Sequence, residues 1–167
     1  MDTKSVKITS PDKGKTISLV GDTYRILISG KDTGGDYAAI DMLIPPKGGP
    51  GPHSHADIQE SFFVIEGEVV VYSEGSESYT ARQGAFINIP KGGIVHSFKN
   101  ESESMAHLLC YVTPSGLENF FAEAGEPVKW GDFKSPPEMT PEKEENLKNI
   151  AEAYAQKLFP PDFFEKQ

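Results

Sequence analysis

The sequence holds one cysteine, Cys110, and one tryptophan, Trp130, among 167 residues. A lone thiol excludes an internal disulfide framework and is compatible with a reducing compartment, so cytoplasm is the expected location. Arginine is nearly absent, with Arg25 and Arg82 alone, and a formal net charge of −9 argues against a surface that tracks nucleic-acid phosphates. No apolar run approaches the roughly 18 residues a membrane span requires. The first residues, MDTKSVKITSPDKGK, are polar and do not read as a secretory signal. What is plentiful is glycine (16) and proline (13), and they fall between short apolar runs, as a fold of many short strands requires.

Up to Thr113 the chain reads as a succession of strands bounded by turn-forming or charged residues. The segments are GKTISLV, TYRILISG, YAAIDMLIP, SFFVIEG, EVVVYS, SYTA, AFINIP, VHSFKN and MAHLLCYVT. Their close spacing, with no helical period between them, predicts an antiparallel barrel or sandwich. Phe62, Phe63, Val64 and Ile65 make one strand apolar on both faces, which predicts a second layer or a partner copy against it. After Pro114 the pattern becomes helical. Ser115 and Glu118 are spaced as a capping box, followed by the apolar face Leu117, Phe120, Phe121 and Ala124. A second helix is predicted from Thr140, with Pro141 at its first position and Leu147, Ile150, Ala151, Tyr154 and Leu158 on one face. The expected organisation is a β-barrel over 1–113 and a two-helix extension over 114–167 that packs on it.

Three of the four histidines carry the chemistry. His53 and His55 are two apart and so project to one side of a strand. Glu60 opens the next strand, with Phe62 and Val64 on its side, and His96 shares a face with Phe98. Three imidazoles and a carboxylate suit a first-row transition metal with open coordination positions, and not a hard all-oxygen site.

In sequence order these residues resemble the two motifs of cupins. The first is His53-Ser54-His55, four residues, Glu60, six residues, Gly67. The second is Gly84, five residues, Pro90-Lys91-Gly92, then His96, three residues, Asn100. Residues 68–83 separate them, as in small bacterial cupins. Lys47 stands where the first motif's leading glycine falls, and one extra residue lies between Pro90 and His96, which Gly92-Gly93 can absorb as a turn or bulge. The tail, in which Thr113-Pro114 ends the last strand and helices follow, is similar to the C-terminal extension of quercetin-dioxygenase-like cupins.

The resemblance implies an all-β double-stranded β-helix, a jelly-roll barrel. It implies a metal held by His53, His55, Glu60 and His96, with Fe, Mn, Ni, Co, Cu or Zn as candidates. It also implies a metal-dependent oxygenase acting on an aromatic or enolisable small molecule. Glu60 would serve as both ligand and base, its pKa raised by apolar surroundings, and Phe62, Val64 and Phe98 would line the substrate pocket or form plain core. The alternatives are a metal-dependent isomerase or lyase and a non-catalytic small-molecule-binding cupin. A homodimer formed by sheet packing is expected, with neither nucleic acid nor membrane as partner. His107 reads as structural or exposed, Cys110 as a small core residue, and Phe163 and Phe164 as packing on the barrel or a second subunit.

Overall fold

The computed structural model describes residues 5–166, arranged as two antiparallel sheets with helices on the outside. In chain order the elements begin with β1 (Lys15–Leu19), β2 (Asp22–Ile28), α1 (Gly30–Thr33), β3 (Ala38–Ile44) and β4 (His53–His55). They continue with β5 (Gln59–Glu66), β6 (Glu68–Ser73), β7 (Tyr79–Arg82), β8 (Phe86–Ile89), β9 (His96–Lys99) and β10 (Ala106–Thr113). The tail supplies α2 (Leu117–Ala124), β11 (Glu126–Pro127), α3 (Pro141–Ala153), β12 (Gln156–Leu158) and a closing 3₁₀ turn (Phe163–Lys166). One sheet runs β11-β1-β2-β3-β10-β5-β8 and the other β12-β4-β9-β6-β7. No helix among the described residues is long and apolar enough to cross a membrane.

Period-2 alternation aims Ile40, Met42 and Ile44 of β3, Phe62 and Val64 of β5, and Leu108, Cys110 and Val112 of β10 into one buried cluster. Each large apolar side chain buried there stabilises the fold by about 1.5–3 kcal/mol. Among the described residues the opposite face stays partly open: Phe63 is 43% exposed and Phe86 68%.

The structure revises three local expectations. The four-residue α1 has no apolar period to announce it, and Asp32 Oδ2 holds its start by accepting from Ser29 N (2.9 Å) and Ser29 Oγ (2.8 Å). Ser115 and Glu118 do not form the predicted box. Gly116 is the N-cap of α2, Ser115 Oγ donates to Gly35 O at 3.1 Å, and buried Glu118 accepts from Gly116 N (2.7 Å) and Gly30 N (2.8 Å), tying α2 to α1. The second helix starts at Thr140 as predicted, Thr140 Oγ1 accepting from Lys143 N at 3.3 Å, but it ends at Ala153. Ala155 takes a left-handed φ of 58°, and Leu158 lies in a strand instead.

Candidate metal centre

Four buried side chains from three strands converge inside the barrel. His53, His55, Glu60 and His96 each offer a ligand atom, and these atoms all lie within 4.8 Å of one another. Strand β4 supplies the two histidines of one parity, and its one register pair with β9 sets His53 opposite His96. Glu60 enters from β5 of the other sheet. The ring centroids of His53 and His96 are 4.3 Å apart, and those of His55 and His96 4.8 Å.

Each imidazole is oriented from behind. His53 Nδ1–H donates to Gly51 O (2.8 Å), His55 Nδ1–H to Ile58 O (3.0 Å) and His96 Nδ1–H to Ile94 O (3.0 Å). A carbonyl can only accept, so all three Nδ1 atoms carry hydrogen and, in the neutral rings, all three Nε2 lone pairs face the cluster. His55 Nε2 stands 3.0 Å from Glu60 Oε2. His96 Nε2 is 3.5 Å from the same oxygen, buried, and makes no hydrogen bond among the described residues. Converging lone pairs on three nitrogens and a carboxylate repel one another unless a cation sits among them, either an added proton or a metal ion. The donor set fits a divalent transition metal, and the backbone carbonyls behind the rings are the outer partners such ligands have.

The electrostatics follow from this packing. Burial, then the neighbouring His96, lowers the pKa of His53 to about 4. Burial acts to lower that of His55 as well, but the Glu60 carboxylate outweighs it and raises the pKa. For Glu60 burial acts upward, yet the imidazoles of His55 and His96 pull the carboxyl well below its usual range. The raised pKa expected from apolar surroundings is therefore overturned, because the hydrogen bonds and charges of the histidines together outweigh the effect of burial.

The two departures from the motif are accommodated. Lys47 adopts the left-handed φ of 67° that a glycine would favour, and its N–H donates to Asn100 O at 2.7 Å. Gly92 (φ 119°) and Gly93 (φ 79°) take up the additional residue, and His96 still reaches the cluster. Asn100 is fully buried and closes the loop by donating to Ile44 O (2.8 Å) and Ser104 O (2.7 Å).

Phe62, Val64 and Phe98 are buried on the ligand-bearing side, with Phe62 edge-on to Phe98 at 5.2 Å. His107 lies on the outer face, bonded to Asp41, which also accepts from Arg25 at 2.6 Å. Phe164 stacks on Tyr72 of β6, so the aromatic terminus packs on the barrel. Sequence reasoning took Cys110 for plain core. Cys110 is indeed a buried core residue, and its Sγ also lies 3.4 Å from Glu60 Oε1, a contact between residues 50 positions apart that no local pattern signals. A cleft of about 300 Å³ lies elsewhere, between β1 and the two longer helices, and none of the four ligand candidates lines it.

The family model of the cupin domain matches residues 40–112. Over 121 residues, 72% of this chain, the sequence is 27% identical to quercetin 2,3-dioxygenase of Bacillus subtilis (strain 168); the match spans only 35% of that relative's length. A predicted oxalate decarboxylase from Thermotoga maritima superposes with a TM-score of 0.59 at 17% identity, covering 65% of this chain and 99% of that one. KdgF from Halomonas sp. gives 0.57 at 16%, covering 66% and 94%. At such identities the structural likeness is one of fold. Two motifs in order, the matching family model and the two-sheet barrel agree: residues 40–112 of this chain are similar to a cupin domain.

Proposed function

We propose that the protein is a metal-dependent oxygenase acting on an aromatic or enolisable small molecule. The observation that carries this reading is the convergence of three tied-back imidazoles on one carboxylate. In this reading His53, His55, Glu60 and His96 hold one divalent ion of Fe, Mn, Ni, Co, Cu or Zn. Such an ion, when bound, supplies Lewis acidity at its open positions. Phe62, Val64 and Phe98 form an apolar wall that keeps water from the reacting centre.

Glu60 accepts the substrate's proton on its carboxylate. The 27% identity to a quercetin 2,3-dioxygenase supports the class. A sugar-phosphate isomerase would need a cation for the phosphate, but Arg25 is engaged by Asp41 and Trp130, and Arg82 pairs with Glu68 at the exposed surface. The buried lone thiol suits a reducing cytoplasm, and the exposed apolar row on the larger sheet suits a second copy of the chain.

The test is oxygen consumption by protein loaded anaerobically with each of the six metals and mixed with flavonols and other enolisable substrates. Uptake with at least one metal, lost in His96→Ala, is the expected result. No uptake across the whole panel overturns the reading.

A further inference from the structure

Glu60 has two carboxylate oxygens in different surroundings. Oε2 faces His55 Nε2 at 3.0 Å and His96 Nε2 at 3.5 Å. Oε1 points the other way, toward β10, where Cys110 Sγ lies 3.4 Å from it. The register pairs Cys110 with Phe62 and Val112 with Glu60, so the thiol sits diagonally across from the carboxylate on the inner face of the sheet. Cys110 is fully buried, and it is the only cysteine in the chain.

A thiol at this place donates or does nothing. A thiol S–H is a weak donor and a carboxylate oxygen only accepts, so the 3.4 Å contact runs from Cys110 Sγ–H to Glu60 Oε1. Glu60 Oε1 has the S–H to accept from, and the remaining oxygen is left for the histidines. An independent observation points to a ligand on the histidine side: His96 Nε2, on a side chain 2% exposed, is aimed into the cluster and has no hydrogen bond among the described residues.

We propose that Cys110 is a positioning residue for the metal centre: its S–H holds Glu60 Oε1, so that the carboxylate presents a single oxygen, Oε2, beside the three imidazoles. The contact leaves one more coordination position free than a carboxylate bound through both oxygens would. An S–H donor is weak, so the thiol orients Glu60 without competing strongly for its charge. This inference rests on the metal reading of the site, and its test separates the two.

Because there is one thiol, the protein gives a single S–H stretching band in the infrared, readable with or without metal. The band is expected below the frequency of an unbonded thiol and is expected to rise toward it in Glu60→Gln, whose neutral amide oxygen is a poorer acceptor. In parallel, Co(II) is titrated into the full-length wild type, Cys110→Ser and Cys110→Ala. Cys110→Ala is expected to bind about tenfold more weakly, with an altered visible absorption spectrum as Oε1 becomes free to join the coordination. Cys110→Ser, which keeps a donor, is expected to restore most of the affinity and the wild-type spectrum. An S–H band unmoved by Glu60→Gln overturns the proposal, as do Co(II) spectra and affinities that coincide in wild type and Cys110→Ala. If the wild type takes up no Co(II), the metal reading fails, and the infrared band alone decides the thiol contact.

Discussion

Asp22 shows how a single residue outside the centre can govern the loop that leads into it. Its carboxylate is 2% exposed and accepts from Gly49 N at 3.1 Å and Tyr24 Oη at 3.1 Å. Burial raises its pKa to about 7, and these hydrogen bonds only partly oppose the rise. In the unfolded chain the same group titrates near its ordinary value of about 3.9. Between these limits the folded state binds the extra proton. The stability Asp22 contributes is therefore complete below about pH 4 and is lost as pH rises through about 7. Urea midpoints should fall between about pH 5 and pH 7.5, and Asp22→Asn, which can keep both contacts, should flatten that fall. A variant with the wild-type slope would rule Asp22 out as its source.

Among the strands that carry ligand candidates, β4 is the shortest. It is three residues long and pairs with β9 only at His53–His96. Its other edge is covered by β12, which pairs Gln156 with His55, Lys157 with Ser54 and Leu158 with His53, and Phe159 N donates to Pro52 O at 2.9 Å. The tail strand thus holds the two-histidine strand in register. Deleting residues 154–167 should speed amide exchange at 53–55 while leaving β3, β5 and β10 protected, and should weaken Co(II) binding by about tenfold. Unchanged protection at 53–55 would mean that β4 stands without the tail. The two-apart parity of His53 and His55 was legible from their spacing. The docking of β12 was not, because Tyr154 and Leu158 fit a helical face as well as they fit a turn and a strand.

At the scale of the molecule, the seven-stranded sheet carries a cross-strand row of Leu109, Phe63 and Phe86, flanked by Tyr111 and Ile65. A sequence apolar on both faces of β5 pointed to a second layer or a partner copy; among the described residues no sheet covers Phe63 and Phe86, which are 43% and 68% exposed, while Tyr111 stacks on Tyr37. Sedimentation should give the mass of a dimer, and the double substitution Phe63→Glu, Phe86→Glu should give a monomer with unchanged far-ultraviolet circular dichroism. A wild-type monomer at micromolar concentration would overturn the assembly.

An antiparallel all-β fold and the four ligand candidates were legible in the sequence, because strand parity and motif spacing are local properties that survive without knowledge of which strands meet. Only the tertiary structure decided what surrounds Glu60. Its lowered pKa, its split between histidines and thiol, and the tail strand beside β4 all depend on register between segments far apart in the chain. Those registers are set by packing the two sheets around one core, which no single stretch of residues encodes.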